Sequence, residues 1–139
     1  MHLEYQVFEA DFVNAGAASS AIKKTLKQLN VNPQIVKRVV VALYEAEVNA
    51  IAHAYGGMIY ADIEADKIIV KVVDKGPGIP DIEWAMQEGN STASPEVRNM
   101  GFGAGMGLPN IRNNADELKI ETGANSHTDI HMTFYIDEE

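Results

Sequence analysis

Residues 33–57 read PQIVKRVVVALYEAEVNAIAHAYGG, and this stretch decides the fold. Pro33 suits the first turn of a helix, Asn32 just before it is a ready N-cap, and Gly56-Gly57 supply a stop. Between these marks the residues are apolar round most of the circumference, which predicts a long and largely buried helix. Its valines are individually poor helix formers, but the length and the caps outweigh that weak preference.

Working outward, Leu3, Tyr5 and Val7 alternate with Glu4 and Gln6 as a short first strand with one buried face. Asn14 can then cap a helix in which Ile22, Leu26 and Leu29 recur at helical spacing. Lys23, Lys24 and Lys27 fall mostly outside that stripe and read as a solvated face. Downstream of the long helix, Ile59, Ala61 and Ile63 alternate with Tyr60, Asp62 and Glu64. Asp66-Lys67 make a tight turn and Ile68 to Asp74 return, which predicts a hairpin. Ile82 to Gln87 can form a short helix. From Glu88 to Gly107 few large apolar groups occur, so the chain there has little to pack and reads as a loop. Pro109 restarts a helix that ends near Asn113-Asn114, and Leu118–Ile120 and Ile130–Ile136 give closing antiparallel strands. Helices segregated from a mixed, mostly antiparallel sheet imply an α/β (α+β) two-layer sandwich, with the sheet covered on one face. Strict strand–helix alternation is absent, which disfavours a doubly wound fold. No repeat or linker divides residues 1–139, so a single domain is expected.

The composition excludes several classes of function. With 11 Lys+Arg against 20 Asp+Glu the formal charge is −9, the opposite of what a nucleic-acid phosphate backbone attracts. The absence of cysteine removes disulfide scaffolds, thiolate zinc sites and thiol catalysis. No apolar run approaches the ~20 residues that span a bilayer. Met1 to Glu9 carry charge where a signal peptide needs an apolar stretch, so a cytoplasmic, non-membrane protein is the expectation. His2, His127 and His131 show no ligand spacing and read as surface or strand residues.

Three features could carry chemistry. Glu45, Asn49 and His53 recur every four residues along the long helix and so share a face. Read alone they favour an ordinary polar stripe over catalysis, with Arg38 on the same side. A carboxylate there could serve as general base, and an amide oxygen one turn on could complete a magnesium shell. Asp74-Lys75-Gly76-Pro77-Gly78 forms the second. Strand alternation puts Asp74 in line with Ile68, Val70 and Val72, where a carboxylate needs a good donor such as the exocyclic amine of a purine. Gly76 and Gly78 would let the backbone approach a flat ring, although a strand ending in a polar glycine turn is common. In the third, four of the 11 glycines fall at 101, 103, 105 and 107, directly before a helix. Backbone amides there suit phosphate oxygens; a mobile connector would explain the glycine content but not its alternation. Neither the P-loop nor the dinucleotide fingerprint is present.

In this order the segments E-A-E-V-N-A-I-A-H-A-Y (45–55), D-K-G-P-G-I-P-D (74–81) and G-A-G-M-G-L-P-N-I (103–111) resemble the GHKL ATPase/kinase superfamily. The length resembles its small serine kinases acting on anti-sigma-factor antagonists, and the last two motifs look closest to the switch kinase of the stress-response complex. The resemblance implies a GHKL-like fold with a flexible ATP lid over about 88–107. It implies ATP and magnesium as cosubstrates and a regulatory serine/threonine protein kinase that phosphorylates a STAS-domain partner. A sigma factor is a second implied partner, and relatives allow a homodimer. By position, Glu45 would be the general base, Asn49 the magnesium ligand, and Asp74 the adenine recogniser, with Gly76 and Gly78 beneath the base. Gly101, Gly103, Gly105, Gly107 and Leu108 would cradle phosphate, and His53 matches a position near the nucleotide. One departure stands out: relatives usually carry arginine immediately before the glycine box, where this chain has Asn99-Met100. The lid's own cation is Arg98. A nucleotide-gated binding module with little or no phosphoryl transfer is the alternative.

Overall fold

The computed structural model describes residues 1–8, 12–53, 56–74, 107–121 and 128–136. The long helix forms as read: α2 spans Pro33–His53. Asn32 Oδ1 accepts the Gln34 N–H at 2.8 Å and the Asn32 carbonyl accepts that of Val36 at 3.0 Å. Val39, Ala42, Leu43 and Ala46 on this helix are wholly buried. The helix lies across the sheet, touching β1 (His2–Phe8), β2 (Gly56–Ile63), β3 (Lys67–Asp74) and β5 (Asp129–Tyr135). Two further helices flank it, α1 (Ala17–Gln28) and α3 (Gly107–Asn114). With β4 (Glu117–Glu121) the sheet runs β1-β2-β3-β5-β4. Every described pairing is antiparallel, so the mixed sheet expected from sequence is antiparallel throughout these residues.

Period-two burial carries the layer. Val7, Ile59, Ala61, Ile63, Ile68, Val70, Val72, Ile130, Met132 and Phe134 join the core with Ile22 and Leu26 of α1 and Leu108 and Ile111 of α3. Alternate residues face away from the helices, as half-exposure does for a sheet covered on one side. None of the described helices is long and apolar enough to cross a membrane.

Several local expectations shift. The residue before α1 is Gly16, at φ 92°, not Asn14; a left-handed position favours glycine. Leu29 follows the helix and is exposed, because the chain leaves α1 before its face returns to the core. The hairpin turn occupies Glu64–Lys67, closed by the Glu64 N–H on the Lys67 carbonyl at 2.9 Å, so Asp66-Lys67 are its second half. β2 starts at Gly56, three residues before its expected apolar alternation, since Gly57 pairs with Asp74. α3 starts at Gly107, so Pro109 sits inside its first turn. The short helix at 82–87, Arg98 and His127 lie outside the described residues.

Candidate functional site

The polar side of α2 turns out to be the side that meets α3. At one end Arg38 Nε donates to the Asn114 carbonyl at 3.0 Å, closing the last turn of α3 with a cation, as the helix dipole favours. Its second nitrogen reaches Asp116 Oδ1 at 2.7 Å. Asp116 also accepts the Tyr135 N–H at 2.8 Å, so one carboxylate ties the end of α3 to β5. Burial works to raise the Asp116 carboxyl, but the Tyr135 N–H and the Arg38 guanidinium outweigh it and hold the group below its ordinary value.

Two turns up the same stripe, Glu45 Oε1 accepts from Asn110 Nδ2 of α3 at 3.1 Å. The helices run antiparallel, so the progression carries Asn49 one turn further, toward the Gly107 end of α3. Asn49 is half-buried and makes no side-chain hydrogen bond to another described residue. His53 closes α2, and its side chain is not among those described. Leu108 is buried in the core, leaving its backbone in the first turn of α3 as what it can offer a ligand. Gly107 is the first residue of that turn.

Asp74 ends β3 half-buried, in the alternation that gives Ile68, Val70 and Val72 to the core. Its N–H donates to the Thr128 carbonyl at 2.9 Å, and its Oδ1 accepts the Thr128 N–H at 3.1 Å. Thr128, almost wholly buried, therefore orients the carboxylate. Nothing in the sequence marks Thr128, since it precedes the β5 alternation. Gly57 lies opposite: a Cβ there would come within 2.0 Å of the Val73 carbonyl oxygen and 2.7 Å of the Asp74 Cα. The glycine read as a helix stop thus keeps β2 close against the backbone that carries Asp74. Gly76, Gly78, Gly101, Gly103 and Gly105 lie outside the described residues.

A second residue went unmarked although a signal for it was present. Glu47 is in line with Leu43 and Ala50 on the apolar side of α2, where a carboxylate demands partners. It is 2% exposed and caps α1 from across the helix pair. Oε2 accepts the Gly16 and Ala18 N–H groups at 3.0 and 3.3 Å, and Oε1 accepts the Ser19 N–H at 3.1 Å and its hydroxyl at 2.7 Å. Between the start of α1 and α2 an open cleft of about 650 Å³ is lined by Val13, Gly16, Ser20, Val40, Tyr44 and Glu45, among others. Glu45 therefore faces both Asn110 and this cleft.

The far face of the sheet is separate. His2 pairs with Asp62 at 2.6 Å and Glu4 at 3.1 Å there, a strand-surface residue as expected. Glu121, Asp129 and His131 bring ligand-type atoms within 4.8 Å of one another, a grouping made by strand register and not by sequence spacing. Lys119 pairs with Glu121 beside it at 2.9 Å.

Comparison with known proteins identifies the family and the fold. The anti-sigma F factor of a Thermoanaerobacter species is 34% identical over 128 residues, covering 88% of this chain and 86% of that protein. The anti-sigma F factor of Geobacillus kaustophilus is 30% identical over 142 residues, covering 98% and 92%. Among solved structures, the RsbU and RsbW domains of a Mycobacterium tuberculosis protein superpose with TM-score 0.68 at 17% identity, over 100% of this chain and 33% of that one. The mycobacterial sensor histidine kinase MprB gives 0.56 at 15% identity, over 98% of each chain; at such identities the likeness is one of fold. Residues 8–134 match the histidine kinase-like ATPase domain, and the chain belongs to that family, beside its small anti-sigma-factor relatives.

Proposed function

We propose that this ATPase-type domain is a regulatory serine/threonine protein kinase whose acceptor is a hydroxyl on a STAS-domain protein. A sigma factor is the alternate partner, a role the names of its relatives suggest. The observation that carries the reading is Glu45: a carboxylate aimed by Asn110 at 3.1 Å and facing an open cleft.

The residues present fit a magnesium-bound nucleotide. Asn49 has an amide oxygen uncommitted to any other described residue, on the stripe that approaches the start of α3. Asp74 presents a carboxylate already steadied by Thr128, suited to accept from an adenine amine. When bound, Mg-ATP supplies the phosphoryl group that passes to the hydroxyl. Glu45 takes the proton that this hydroxyl gives up, and the Asn110 bond keeps its second oxygen turned to the acceptor. Arg38, through its hold on the end of α3, keeps Asn110 in place. Gly76, Gly78 and the alternating glycines from 101 to 107 are proposed to approach the base and the phosphates.

Incubation with Mg-ATP and STAS-domain proteins tests this by mass spectrometry, with the partner gaining about 80 Da per phosphoryl group. Glu45→Gln is expected to slow transfer ~100-fold or more while nucleotide affinity stays within about twofold. Undiminished transfer would reject Glu45 as the base. The missing arginine before the glycine box favours a second reading, a nucleotide-gated binding module; ATP-dependent partner binding without a mass gain would select it.

A further inference from the structure

We infer that Glu47 is a positioning residue for the protein acceptor: by clamping the first turn of α1 it fixes the wall of the cleft that faces Glu45. The inference rests on the kinase reading and names the side from which the acceptor arrives. A buried ionised carboxylate on an apolar helix face is costly unless its lone pairs are used. Here all four contacts come from a short stretch of one other segment, the Gly16, Ala18 and Ser19 N–H groups and the Ser19 hydroxyl. The Ala18 and Ser19 N–H groups in the first turn of α1, which a passing anion would otherwise meet, are filled from within the protein.

Three observations connect this clamp to the acceptor path. The clamped residues Gly16 and Ser19 line the same cleft as Glu45. Glu47 and Glu45 stand two residues apart on α2, so one carboxylate sets the wall and the other faces the space it bounds. The joint is also steered by its backbone: Gly16 sits at φ 92°, with Tyr44 of the opposite wall 3.9 Å from where a Cβ would stand. The occupant is the hydroxyl-bearing segment of the acceptor protein. Lys23, exposed and on the rim, continues into exposed Lys24 and Lys27, a cationic strip on a chain of net charge −9. That strip favours acidic residues flanking the acceptor hydroxyl. In Glu47→Gln two N–H donors of the amide face donors of α1, which loosens the wall without touching Glu45, Asn49 or Asp74.

The test is steady-state transfer from Mg-ATP to a STAS-domain protein encoded in the same genome, with acceptor affinity measured separately by calorimetry. Glu47→Gln should raise the KM and Kd for the acceptor ~10-fold, leaving the KM for Mg-ATP within about twofold and kcat little changed. Ser19→Ala, which removes one of the four contacts, should raise the acceptor KM about threefold. An unchanged acceptor KM with a lowered Tm would overturn the inference, making Glu47 a helix cap and nothing more. Equal rises for acceptor and nucleotide, or a fall in kcat alone, would overturn it too. If Glu47→Gln does not fold, Ser19→Ala decides by the same readout. Failure of the unaltered protein to transfer to or bind any STAS-domain protein would instead strike the kinase reading, and the inference with it.

Discussion

Gly57 shows how one missing side chain serves two ends. An added methyl would meet the backbone of Val73 and Asp74, which cannot swing aside as a flexible side chain can. Gly57→Ala is expected to destabilise the fold by about 2–3 kcal/mol and, by displacing the Asp74 backbone, to weaken nucleotide binding measured by calorimetry. Unaltered stability in urea would show that the strands can part at no cost. At this scale the sequence was legible where chemistry and position coincide. Glu45, Asn49 and Asp74 stand out because polar groups interrupt apolar periodicity. Glu47 interrupts it too, but its meaning depends on Gly16, Ala18 and Ser19, which join it only when α1 folds back on α2. Thr128 carries no such mark, because the requirement it meets belongs to Asp74 on another strand.

Among the elements, α3 is the one whose placement most concerns the site, and Arg38 and Asp116 hold it. Arg38→Ala loses the bonds to Asn114 and Asp116, both partly exposed, and should cost about 1–2 kcal/mol. The pH dependence follows from the direction of the Asp116 shift. A carboxyl held below its ordinary value of 3.8 contributes stability that is full above that pH and is lost as pH falls through the lower folded value. Arg38→Ala should therefore lower Tm most at neutral pH and flatten the acid limb of the Tm–pH curve, since Asp116 returns toward its ordinary value and the two curves converge in acid; a Tm gap that stays constant down to low pH would reject the tie. The stripe on α2 that could have been mere solvated polarity is thus the seam with α3. Sequence periodicity could place Arg38, Glu45 and Asn49 on one side, but not show which element would cover it. The start of α2 was legible in Asn32 and Pro33, whereas that of α1 was not, because Gly16 is held by Glu47 of another helix.

For the molecule as a whole, 20 acidic against 11 basic side chains leave an excess that compaction concentrates. Screening that repulsion outweighs screening of the few ion pairs, so Tm should rise by a few degrees between about 10 and 200 mM sodium chloride. A fall in calorimetric Tm over that range would show that the ion pairs dominate. The two-layer plan was legible because its parts are local in the chain: β2 with β3, β4 with β5, and one long apolar helix. The strand order was not, since it depends on which hairpin edges meet. Among the described residues β1 lies at an edge of the sheet and pairs with β2 alone, which follows two helices later. On a ribosome, β1 is made first and waits longest. Until Gly56–Ile63 emerges, the backbone of Leu3, Tyr5 and Val7 has no strand to pair with, and the intervening Glu4 and Gln6 are what discourage a nascent chain from pairing with a stranger.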